Sequence, residues 1–232
     1  MAALAPLCGS AITSDVRCVA AAALPALTGC VRVADRERGG RGQAALGPLL
    51  FALDALLEAI AEEAEQEPLE AVVQALGACV EAACRIEQGD ERVTRADQCA
   101  PLLEGSRLPP EALCRALHAC LAATLQRRAV RAAEATLDAD YDDEQCRADA
   151  QAGDADGSLL FHVGEAVGSV LRTHGVRALS GLHAEWLPRL THMADPRCVE
   201  NDRRFATFVL CDVVERARRA ETLLEETPLC SF

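Results

Sequence analysis

Lysine is absent from this chain: all 23 basic residues are arginine, set against 36 aspartates and glutamates. The net charge of −13 leaves no broad basic face, which argues against a grip on nucleic acid, since phosphate binding depends on one. Acidity of this size suits a basic peptide or protein partner, because opposite charge raises the encounter rate. Aromatic residues make up only 3% of the chain, so its apolar half is mostly alanine, leucine and valine. Small side chains let helices approach closely, which favours stacked helices over a sandwich or barrel. Strand signals are also scarce. No Asn-Gly turn separates alternating runs, and the one Asp-Gly, Asp156-Gly157, follows an acidic stretch rather than a strand. Long uncharged runs are missing as well. Cys18 to Val31 contains Pro25 and falls short of the roughly 20 residues a membrane span needs. The N-terminus has no positive region ahead of an apolar one, so no signal peptide is expected. Gly-x-Ser-x-Gly, a phosphate loop and Gly-x-Gly-x-x-Gly are all absent, which removes the common signatures of nucleophilic and nucleotide chemistry; no enzyme activity and no cofactor are expected.

What the chain does contain is helical periodicity. Apolar residues recur about every 3.6 positions, which predicts helices over 14–34 (Ser14 or Asp15 capping, Pro25 kinking), 44–63, from Pro68 to about Arg85, a weaker one over 92–103, then 110–136, 158–175, 178–194, 201–219 and a short one over 220–226. They pair antiparallel at a spacing near 40 residues, the period of HEAT and armadillo arrays. Each pair has an apolar face too wide to bury alone, and stacking buries it. The predicted fold is all-α, a right-handed superhelical solenoid of HEAT/armadillo-like helix pairs, with residues 1–232 as a single array of about five pairs, the first one partial. Twelve cysteines fall mostly inside apolar helical runs, among them Cys18, Cys30, Cys79, Cys84, Cys114, Cys120 and Cys211. They read as reduced, packed thiols in a cytosolic protein rather than a disulfide framework.

The acidic stretch 138–157 is expected to be an inter-helix loop. It holds Asp138, Asp140, Asp142, Asp143, Glu144, Asp149, Asp154 and Asp156 against one arginine, Arg147. Two main readings stand: a contact surface for basic cargo, and a solvated linker that orders nothing. A calcium loop is a third, but Asp143 sits where glycine is needed and Asp149 where a bidentate glutamate is. Cys114 and His118 lie one turn apart with Cys120 nearby, yet structural zinc takes four ligands and no second knuckle follows; packing is the default. The other histidines, His162, His174, His183 and His192, are expected at helix surfaces or ends. Trp186, beside Leu187 and Leu190, reads as core or as a binding anchor. Asp202 and Arg203 read as a helix start that pairs between repeats.

Several segments, in order, resemble the importin-beta superfamily of nuclear transport receptors, nearest the importin-beta-3 type. DVRCVAAAALPALTGCVRV (Asp15–Val33) resembles the family's repeat helix. The acidic DADYDDEQ and the patch after it resemble that branch's acidic inter-helix segment. LHAEWLPRLTHMADP and NDRRFATFVLCDVVE resemble two later family helices, with Phe205 where the family usually carries tryptophan and Val213 where a second aspartate is common. The resemblance spans roughly 12 to 216, with 36–107 matching by pattern only, and implies a middle-to-C-terminal piece of a longer HEAT array. It implies import of basic cargo into the nucleus, with shuttling between cytoplasm and nucleus at the nuclear envelope. Ran GTPase and nucleoporins are the partners it implies for the full-length receptor, with no nucleic acid and no membrane insertion. Asp138, Asp140, Asp142, Asp143, Glu144, Asp154 and Asp156 would meet cargo. Asp15, Arg17, Trp186, Asp202, Arg203 and Phe205 would hold repeats together, Asp15 and Arg17 as rungs of an inter-repeat ladder. The alternative is a generic HEAT scaffold or adaptor in another assembly, without Ran-dependent transport.

Overall fold

The computed structural model describes residues 3–9, 13–39, 43–87, 110–137 and 143–226, and these are helical almost throughout. The α-helices are α1 (Ser14–Glu37), α2 (Leu46–Glu62), α3 (Gln66–Glu87), α4 (Pro110–Leu137), α5 (Asp143–His174), α6 (Val176–His183), α7 (Trp186–Met193) and α8 (Glu200–Glu226), with short 3-10 turns at Ala5–Gly9 and Gln43–Ala45. No strand occurs among the described residues. The helix expected over 92–103 lies outside them.

The helices lie in two rows. In one, α1 packs on α3, α3 on α5 and α5 on α8; in the other, α2 packs on α4 and α4 on α6. Contacts between α2 and α3 and between α4 and α5 join the rows, and α7 rests on α6 and α8. The middle helix, α3, is apolar over most of its circumference, and Leu69, Val72, Val73, Leu76, Cys79 and Val80 are all buried. Such a helix is stable only when neighbours cover it, and α1, α2 and α5 do so. A Cβ at Gly77 would stand 3.3 Å from the Ala166 Cα, so this glycine sets how closely α3 and α5 cross.

Three of the expected helices differ from their expected form. Helix α1 begins after Thr13 without a side-chain cap and runs on through Pro25. Proline forfeits one backbone hydrogen bond, but Ala20, Ala21, Leu24 and Thr28 on the same helix are buried and hold it in place. By length and composition α1 would also reach across a bilayer, although its buried Arg17 pairs with the turn between α2 and α3. The helix expected over 178–194 is two helices, because Pro188 has no N–H to bond back to Ala184; it sits in the first turn of α7, where none is needed. Helix α8 runs to Glu226 and absorbs the separate short helix expected over 220–226.

The largest correction concerns the acidic segment. Residues 143–157 are not a loop; they form the first half of α5, one helix of 32 residues. Ala148, Ala150, Ala152 and Ala155, with Gln145, Arg147 and Gln151, are good helix formers. Carboxylates near a helix N-terminus also complement its dipole. Gly153 and Gly157 each cost the helix only about 1 kcal/mol, too little to break it.

Candidate functional site

The acidic residues divide into two groups with different physical roles. Glu144 and Asp154 are exposed on the first half of α5, Asp149 is half-buried, and Asp143 is the residue at which the helix begins. Asp138, Asp140 and Asp142 lie outside the described residues, and with them most of the calcium-loop pattern. Asp156 is different, with no exposed surface at all. Its Oδ1 lies 3.6 Å from Arg127 Nη2, its Oδ2 lies 3.5 Å from Arg128 Nε, and Arg131 donates a hydrogen bond to Oδ2. Arg128 also donates to Asp202 at the start of α8. One carboxylate per helix on α5 and α8 thus meets three arginines from α4. The exchange offsets the several kcal/mol that burying a lone carboxylate costs, and it assigns Asp156 to holding helices together rather than to meeting a partner.

The residues expected to join repeats are placed as follows. Arg17 reaches Glu63 at 2.8 Å and Glu65 at 2.7 Å, while Asp15 is exposed in the first turn of α1. Asp202 pairs with Arg128 on α4, and the Arg203 Nε is buried with no hydrogen-bond partner among the described residues. Phe205 is buried on α8. Trp186 is fully buried, its indole Nε1 donating to the Cys114 carbonyl at 2.9 Å across α7 and α4. His118 packs edge-on against that ring, centroids 5.6 Å apart, with Nδ1 3.4 Å from Glu185 and Nε2 buried without a partner among the described residues.

Burial lowers the His118 pKa; the nearby Glu185 carboxylate opposes the shift and Arg189 adds to it. Burial pushes the thiols of Cys79, Cys114 and Cys120 up to about 12, so they stay protonated and unreactive near neutral pH. Cys30 and Cys211, expected in the core, are exposed, and so is Cys146; the Cys84 side chain lies outside the description. No cluster of three or more metal-ligating side chains occurs among the described residues. His183 and His192 are exposed, whereas His162 reaches Glu70 on α3 at 3.3 Å.

Sequence reasoning missed a cleft of about 540 Å³ between α5 and α8. Leu160, Phe161, Phe205 and Phe208 give it an apolar wall, with Asp154 and Arg204 at its edges. Phe161 is 59% exposed and Phe208 42%. Gly164 lets the Phe205 and Phe208 rings of α8 lie against α5, since a Cβ there would come within 3.3–3.5 Å of them. The available signal was the three-residue spacing of Phe205 and Phe208, one helical turn apart, together with Phe161 seven residues after Asp154. Compared with known proteins, the chain matches no family model and no curated protein sequence.

Proposed function

We propose that this chain is a section of a stacked helical array of the importin-beta type, and that it receives basic protein segments on carboxylates displayed by the first half of α5. The observation that carries the reading is the division of the acidic residues: Asp156 is locked inside by arginines, while Glu144 and Asp154 are exposed on the same helix. Support for the array comes from the two rows of helices, α1–α3–α5–α8 and α2–α4–α6. That is a neighbour pattern expected when helix pairs stack. Support for the family comes from the ordered resemblance of the segments around Asp15–Val33, 138–145, 182–196 and 201–215. The wider charge of −13 would steer basic cargo toward the array, and binding would weaken as salt screens it. The reading assigns no reaction to the chain.

A scaffold reading is favoured by one observation of its own. Asp156 and Asp202, both in the segments that resemble the receptors, are consumed by an internal arginine network. A receptor and a scaffold differ in their response to Ran. If GTP-bound Ran releases a bound lysine-rich peptide, the receptor reading stands. Binding that ignores Ran leaves the scaffold, and no salt-sensitive binding of lysine-rich peptides removes both.

A further inference from the structure

We propose that the α5–α8 cleft takes the apolar anchor of a basic amphipathic helix, and so sets which basic segments this surface accepts. The inference rests on the proposed function and gives it a second selectivity, for apolar side chains as well as charge.

The argument begins with exposure. A chain poor in aromatics leaves Phe161 and Phe208 about half open to water on facing helices, above a floor made by Leu160 and the buried Phe205. Exposed aromatics around a cleft are the usual anchoring points of protein contacts. A volume near 540 Å³ holds a side chain or two but is small for a folded domain. The edges decide the charge of the occupant. Arg204 on one edge is held by Glu200, one turn before it on α8, so its charge is already matched. Asp154 stands on the other edge, seven residues before Phe161 and therefore on the same face of α5. Toward its N-terminus the helix continues through Asp149, Glu144 and Asp143. An occupant with leucine or phenylalanine in the cleft thus lays its neighbouring residues beside carboxylates. A helix with apolar residues at i, i+4 and i+7 and lysines on the flanking face fits both features.

The test uses the whole chain and three labelled helical peptides of about 15 residues, followed by fluorescence anisotropy. The first carries leucine anchors and lysines. The second has serines in place of the leucines, and the third has glutamines in place of the lysines. The first should bind about tenfold more tightly than either of the others. Phe161→Ala and Phe208→Ala, each at an exposed position and each checked by a thermal melt, should weaken the first peptide about tenfold and leave the second unchanged. The inference is overturned if the leucine and serine peptides bind alike, if both phenylalanine variants bind the first peptide as the parent does, or if the neutral peptide binds as well as the charged one. In the first two cases salt-sensitive binding can persist, and the proposed function survives without the cleft. If neither lysine peptide binds at low salt, both readings fall.

Discussion

Asp154 and Asp156 are two residues apart, yet the fold treats them as opposites. Asp154 is exposed, and Asp156 is enclosed by Arg127, Arg128 and Arg131. Replacing Asp154 with asparagine should therefore change stability by no more than about 0.5 kcal/mol. Asp156→Asn should cost toward the lower end of the roughly 3–5 kcal/mol typical of a broken buried ion pair, since the three arginines keep some contact with water. Urea unfolding of both variants checks the contrast; equal midpoints would show that Asp156 is not structural. His118 gives a pH dependence. Its folded pKa lies below the usual 6.5 because of burial. Between those two values the unfolded chain binds more protons, so stability is complete above about 6.5 and declines as the pH falls toward the folded value. His118→Gln should remove that part of the slope, read from melts across mildly acidic pH.

Among the elements, α5 shows what the sequence made legible and what it hid. The apolar periodicity of 158–175 gave the half of α5 that packs on α3, ending within a residue of the structure. The half before it was hidden because five carboxylates and two glycines look like a solvated linker. Its alanines and glutamines favour a helix locally, and the arginines on α4 that neutralise Asp156 add a contact that no local pattern encodes. Helices α1, α2 and α4 were readable to within about three residues at each end; in α4 the apolar residues that mark it, Leu113, Leu117, Cys120 and Leu121, lie in its first half. The 178–194 segment was misread for the opposite reason, since its stripe continues across a break set by Pro188. The arginine partners of Asp156 and Asp202 were out of reach, because pairings across helices leave no spacing in the chain. The glycines offer a test at this scale. A Cβ at Gly153 would meet nothing within 4 Å, so Gly153→Ala should stabilise the protein by about 0.5–1 kcal/mol through helix propensity. Gly77→Ala should do the reverse, by about 1 kcal/mol or more, because its methyl group presses on the backbone of α5. Opposite shifts in melting temperature are expected; a Gly153→Ala protein no more stable than the parent would contradict a continuous α5 helix.

At the scale of the molecule, charge and architecture point the same way. Two rows of packed helices bury leucine, valine and alanine, while acidic groups outnumber basic ones by thirteen over the whole chain. Some of the acidic groups hold helices together, as where Arg17, Arg128 and Arg172 each meet glutamate or aspartate on another element; such pairs use acid and base equally and leave the excess of thirteen in place. On the first half of α5, Glu144 and Asp154 are exposed to solvent.

The most direct measurement is the affinity of one lysine-rich peptide for the parent chain and for a variant carrying Glu144→Gln, Asp149→Asn and Asp154→Asn, each titrated at about 0.1 M and about 1 M salt, where the screening length falls from about 10 Å to about 3 Å. The account predicts at least a tenfold loss for the variant at the lower salt, with the two proteins converging at the higher one. Equal affinity of parent and variant at low salt would contradict it, and would show that the carboxylates of α5 are a solvated face with no partner.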